Sequence, residues 1–231
     1  MKQRIFHHQQ GIALGPLLFI IAILAIIAAA IAAGAGGFNT NTNNDSAKVM
    51  AQAVIDYVGQ VKNGLDLVLA NNQCNTTVGT EQLSFSNPIA TAANGNVDPY
   101  INANAPANAS CNIFDQRGGG IIAKAVPQGM QISSSYPTYL FSGCNEMANS
   151  GPTNEPITVL LLGLSNTQCS AINSILTGSS AISSTAAFNP VFYPGADNGG
   201  CAWLGTIPMP SACVYETTSN MNIFYSVLLP R

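Results

Sequence analysis

From Ile12 to Phe38 the chain carries no charged residue, and Leu17 to Ala33 consists almost wholly of Leu, Ile, Ala and Phe. A helix that crosses the hydrocarbon core of a bilayer needs about 20 apolar residues, and this block with its flanks supplies them. Pro16 suits the first turn of such a helix, where a missing N–H costs nothing. Gly34, Gly36 and Gly37 mark its end. The preceding residues 1–11, MKQRIFHHQQG, are short, polar and basic. Lys2 and Arg4 on that short side predict a single-pass helix with its N-terminus in the cytoplasm and the long side exported. The competing reading is a cleaved signal peptide cut near residues 33–37, although the apolar core of such a peptide spans only about 7–15 residues.

Beyond the block the pattern changes period. Met50, Val54, Val58, Val61, Leu65 and Val68 recur at spacings of three and four, which places them on one face of a helix over 46–70, capped by Asp45 or Ser46. Between this helix and the first lies GAGGFNTNTNND (34–45), a flexible break. Short strands are expected at 120–126, 129–134, 138–141, 157–162 and 222–229, where β-branched and aromatic residues gather between Gly, Pro and Asn. Thr167 to Leu176 reads as a short helix stopped by Gly178. Residues 87–110 have too little bulk to build core and read as an exposed excursion, and the Pro/Gly-rich segment 186–213 reads as a stapled surface loop. A helix followed by strands on both sides of a second helix predicts an α+β domain, with helices on one face of an antiparallel sheet.

Composition narrows the setting. Only 7% of the 231 residues are charged, against roughly 25% in an average soluble domain. Beyond residue 11 five basic residues face ten acidic ones, so nothing can neutralise a run of phosphates and nucleic-acid binding is not expected. The six cysteines, Cys74, Cys111, Cys144, Cys169, Cys201 and Cys213, all follow the apolar block. None has C-x-x-C spacing, and no histidine accompanies them. An even number of scattered cysteines behind an export signal reads as a disulfide framework in an oxidising compartment, with the connectivity left open. The alternative is buried free thiols in a reducing one.

Catalytic chemistry has little to work with. Both histidines, His7 and His8, lie in the leader, which removes Ser-His-Asp, Cys-His and His-based metal sites from the exported part. Paired carboxylates such as Asp115 and Glu146 can act as acid and base, but surface or turn roles suit them better. Gly118-Gly119-Gly120 lacks the Lys-Ser/Thr ending of a phosphate loop and reads as a tight turn. Phe188, Phe192, Tyr193 and Trp203 suit a small core beside Cys201 better than a sugar-binding patch. Asn75-Thr76-Thr77 and Asn108-Ala109-Ser110 match glycosylation sequons. No cofactor, no metal and no enzymatic activity are expected.

A short basic leader ending in Gly11, followed at once by an apolar helix, resembles a type IV prepilin. The stretches CNIFDQRGGGIIAKAVP (111–127) and ITVLLLGLSNTQCSAINSIL (157–176) resemble type IVb pilins: an Asn-aromatic-Gly-Gly turn into a strand, then a strand, a short turn and a Cys-bearing helix. The resemblance implies cleavage by a prepilin peptidase between Gly11 and Ile12, with N-methylation of Ile12. It implies a disulfide from Cys169 to Cys213, the alternative partner being Cys201. The fifth residue of the mature family helix is normally glutamate; here it is Pro16, preceded by Gly15, which points to a minor or atypical subunit.

The expected organisation is a leader (1–11), a transmembrane and assembly helix (12–38), a flexible break (39–45) and an extracytoplasmic pilin-like domain (46–231). The expected function is that of a structural subunit of a type IV pilus or type II secretion pseudopilus-like filament, held in the bacterial inner membrane until assembly. Its partners would be other pilin subunits and the prepilin peptidase. The alternative function is an uncleaved single-pass inner-membrane protein with a periplasmic binding domain; a secreted enzyme is a third reading, disfavoured by the missing histidines.

Overall fold

The structure, a computed structural model, describes residues 43–71, 74–77, 80–86, 102, 104–130, 132–133, 138–142, 145–148, 156–185, 202–206 and 209–230. Residues 1–42, with Gly11, Ile12 and the apolar stretch 12–38, lie outside them. Among the described residues no helix is long and apolar enough to cross a membrane. Residues 44–231 constitute one compact unit.

Helix α1 covers 43–71, and its buried residues repeat as Ala47, Ala51, Val54, Val58, Val61, Leu65 and Val68. Steps of three and four keep one stripe inward. Met50 sits at the edge of that stripe, half-buried against the core. The strands are β1 (Leu140–Ser142), β2 (Asn145–Ala148), β3 (Ile157–Leu164), β4 (Ser183–Thr185), β5 (Ala202–Thr206), β6 (Ser211–Glu216) and β7 (Met221–Leu229); helix α2 (Asn166–Thr177) lies between β3 and β4. Five strands form one sheet in the order β1-β3-β7-β6-β4, and β2 with β5 forms a separate pair.

The helices and one sheet face share a core. Val54, Val61, Leu65, Cys169, Ile172, Val159, Leu161, Phe224 and Leu228 belong to a single buried cluster. On the sheet's other face Leu140, Leu160, Leu162, Ala212, Val214, Ile223 and Tyr225 form a second one. Burial on both faces explains why β3 reads ITVLLLGL, a continuous apolar run rather than an alternation.

The sheet is mixed, not antiparallel as the sequence suggests. β1, β3, β7 and β6 pair antiparallel, but β4 joins β6 in parallel, with Ser183 opposite Val214 and Thr185 opposite Glu216. Parallel neighbours need a long connection, and the residues between Thr185 and Ser211 provide it. The segment 186–213, expected to be a loop throughout, therefore contributes β5 and the first half of β6. Conversely, the described residues of 120–134 form no strand. They make single rungs only: Ile121 N–H donates to Ile113 O at 3.1 Å, and Ser133 N–H to Leu162 O at 2.7 Å. Gly120 and Gly129, at φ +64° and +86°, turn the chain away before a ladder can extend.

Candidate functional site

The residues with the densest specific bonding surround helix α2. Ser165 caps it by accepting from Gln168 N–H at 3.2 Å, while the Gln168 side chain accepts from Ser165 N–H, a reciprocal capping box. Gly178, at φ +75°, ends the helix in the left-handed conformation, and its N–H reaches Ser174 O. Cys169 is bonded to Cys213 on β6, not to Cys201, with Cα atoms 5.3 Å apart. One turn further along the same face, buried Asn173 accepts from Cys213 N–H at 2.7 Å and donates to Cys213 O at 2.8 Å. It also donates to Ala181 O at 2.8 Å. One covalent and two polar ties thus fix α2 to a single residue of β6.

A second staple joins Cys74 to Cys111, with Cα atoms 5.9 Å apart. It anchors the connection after α1 to a tight coil over 109–121. There Ser84 and Asn112 make an isolated parallel bridge, and Asn112 donates to Ser86 O while accepting from Phe114 N–H. The Gly-Gly-Gly run serves this coil. A Cβ on Gly118 would stand 2.1 Å from Asn112 O, and one on Gly119 2.6 Å from Ile113 O. Close backbone approach, not phosphate binding, explains these glycines. Phe85, Phe114 and Phe141 close the coil over the core, with Phe85 and Phe141 stacked at 4.7 Å.

Several titratable groups are engaged structurally. Arg117 donates to both oxygens of Asp115 at 2.9 and 3.1 Å, and these bonds with Arg117 N–H hold the Asp115 carboxyl at about 2. Burial pushes the Tyr57 hydroxyl up, partly offset by a bond from Lys124 N–H. Burial also raises Tyr139, whose ring lies 4.7 Å from that of Tyr57. At Glu216 burial raises the carboxyl, but bonds from Ser219 and Thr218 outweigh it and hold the group at about 2. Thr218 N–H donates to it at 2.7 Å, and both the N–H and the hydroxyl of Ser219 do so as well. Among the described residues no group of three or more His, Cys, Asp or Glu could hold a metal ion.

Two concavities among the described residues involve α1 and α2. The larger, about 400 Å³, is open, lined by Asn44 and Lys48 of α1, by Asn166, Thr167, Ser170, Ala171 and Ser174 of α2, and by Ser180. The smaller, about 180 Å³, lies where Ile55, Val58 and Lys62 of α1 meet Leu176, Phe224 and Ser226. The larger holds the hydroxyls of Ser170, Ser174 and Ser180 in one open cleft with Lys48, and in the smaller the hydroxyls of Ser211 and Ser226 bond each other at 2.7 Å. Asp115 is committed to Arg117 at its turn; the side chain of Glu146 lies outside the described residues, as do Gly11, Ile12, Cys144 and Cys201. The polar ties of Asn173 and Glu216 are invisible in the sequence, because no motif marks an amide or a carboxylate that bonds to backbone. Gln168 alone left a signal, three residues after Ser165 before an apolar run.

The arrangement defines an α+β domain with two disulfides among the described residues, whose specific bonding is spent on rigidity. Comparison with family models, with curated proteins and with solved structures gives no match.

Proposed function

We propose that the chain is a pilin-like structural subunit of a type IV pilus or type II secretion pseudopilus-like filament, of a minor or atypical kind. The reading is supported most by one arrangement: the apolar stripe of α1 lies on a sheet whose β3 leads through a capped turn into α2, and α2 is bonded through Cys169 to Cys213 on a penultimate strand. Such a domain resists deformation, which suits a part that bears load or presents a surface. In this reading residues 12–38 wait in the inner membrane as an apolar helix. The prepilin peptidase cuts after Gly11, Ile12 is methylated, and helix packing among neighbouring pilin subunits replaces lipid contacts as the subunit joins the filament.

A second reading is an uncleaved single-pass protein with a periplasmic binding domain. Pro16 in place of the usual glutamate and the open cleft of about 400 Å³ beside Lys48 favour it. N-terminal mass spectrometry on native protein, from membranes and from sheared surface material, separates the two. A mature chain beginning at N-methylated Ile12 is expected for the filament subunit. A chain beginning at Met1 and confined to membranes would reject processing and favour the binding domain.

A further inference from the structure

We propose that the smaller concavity, about 180 Å³ between α1, the end of α2 and the sheet, binds a small organic acid. The ligand class is an apolar body the size of a benzene ring that carries one carboxylate.

The site begins as a gap in an otherwise filled layer. On the sheet face towards the helices, Cys213, Phe224 and Leu228 are buried in the shared core. Ser211 and Ser226 stand on that same face, directly opposite each other across β6 and β7. Two small side chains thus fall where the strands otherwise carry large ones. From α1 comes Gly59, and a Cβ built there would meet nothing within 4 Å. Three small residues, one from each of three elements, leave the space that Ile55, Val58, Leu176 and Phe224 wall. Interiors are packed with few voids larger than a water molecule, so a gap of this size is a departure. It opens to solvent beside Gly59 and Lys62, both exposed.

The lining sets the ligand's size and charge. An apolar cavity of about 150 Å³ takes up benzene, so about 180 Å³ admits one ring or a branched chain of similar bulk. Lys62 is the only ionisable residue of the lining. Its Nζ donates to Leu228 O at 3.1 Å, which holds the ammonium against β7 two residues beyond Ser226. Asp66 stands 3.8 Å from it, beyond hydrogen-bonding distance, and both side chains are about half exposed, so that pair is weak. An ammonium has three donors, and the bond to Leu228 O uses one. A carboxylate at the mouth can take another as a charge-assisted bond. Deeper in, the hydroxyls of Ser211 and Ser226 bond each other at 2.7 Å. That bond uses one of their two hydrogens, and the second can turn to the ligand. Apolar walls disfavour a phosphate or a sugar, and the ammonium disfavours an amine. The proposal uses neither the cleft beside Lys48 nor residues 12–38, so it stands or falls apart from both readings of the chain.

The test is a titration of the full chain in detergent micelles with benzoate and with benzamide, its neutral isostere, followed by backbone amide NMR shifts. Uptake of either compound by the micelles is equal for parent and variants and cancels in the comparison. Saturable shifts with benzoate are expected at residues 58–62, 211–213 and 224–228, with affinity for benzamide about tenfold weaker. In Lys62→Gln the preference for benzoate is expected to vanish while weak binding of both compounds remains. Gly59→Leu puts a side chain into the opening from a helix that it also favours, and is expected to abolish both responses. Absence of saturable shifts at these residues, a preference that survives Lys62→Gln, or binding that survives Gly59→Leu would overturn the proposal. Shifts at the same residues on raising the protein concentration without ligand would overturn it too, by making this face a contact between copies of the chain.

Discussion

The side-chain amide of Asn173 pairs with both backbone groups of Cys213, accepting at 2.7 Å and donating at 2.8 Å. β4 begins opposite Val214, one residue later. The amide therefore continues the edge of β6 where the neighbouring strand has not yet started, in the manner of one more peptide group. Replacing Asn173 with Ala leaves the N–H and C=O of Cys213 buried without these partners, at about 1–3 kcal/mol for each unsatisfied group. Equilibrium denaturation of Asn173→Ala is expected to show a loss of about 2–4 kcal/mol with an unchanged denaturant slope. A loss below about 1 kcal/mol would mean that water reaches Cys213.

The two described disulfides close loops of similar length, with separations of 37 and 44 residues. The chain-entropy account assigns each about 4 kcal/mol. Cys169→Ala with Cys213→Ala also removes sulfur from a fully buried contact between α2 and β6, whereas Cys74→Ala with Cys111→Ala releases a connection at the end of α1. The first double variant is expected to be the less stable of the two by thermal unfolding. Equal melting temperatures would show that the buried packing around α2 contributes nothing beyond the crosslink.

Two glycines predict opposite outcomes. Gly118→Ala forces a methyl to within 2.1 Å of Asn112 O, a backbone atom that cannot move aside cheaply, and is expected to cost about 3 kcal/mol. Gly59 is an exposed residue of α1 with nothing near its would-be Cβ. Gly59→Ala is expected to stabilise the domain by about 1 kcal/mol, the ordinary difference in helix propensity. Both are read by the same denaturant titration, and a destabilised Gly59→Ala would place a neighbour against that face.

Glu216 carries the clearest pH signature. Its folded carboxyl is held at about 2, below its value in the unfolded chain, so folding favours the ionised form. The associated stability is fully present above the unfolded value, near pH 4.5, and is lost as pH falls towards 2. Glu216→Gln cannot ionise, so its stability between pH 5 and pH 2 is expected to fall less steeply than that of the parent. Parallel slopes would show that the Glu216 carboxyl titrates alike in the folded and unfolded chain.

Much of the helical layer was legible in the sequence. Spacing alone places Met50, Val54, Val58, Val61, Leu65 and Val68 on one face; the last five are buried, and Met50 is half-buried at its edge. The end of α2 at Gly178 followed from the one residue type that enters the left-handed region without strain. β3 and β7 were located within two residues of their bounds, because long apolar runs survive any tertiary context. Residues 120–134 misled for the opposite reason: Ile121, Ile122 and Ile132 have strand-like side chains, but a strand exists only where a partner runs beside it.

What the sequence determined by itself was local, namely the period of α1, the caps of α2 and the apolar runs of β3 and β7, all set by neighbours a few residues away. The tertiary structure alone decided that β4 lies parallel to β6, that β5 pairs with β2, and that Asn173 and Glu216 turn inward to bond backbone. Each of these depends on which distant segment arrives alongside. That is settled by packing and loop closure over the whole chain, and no short window of residues records it.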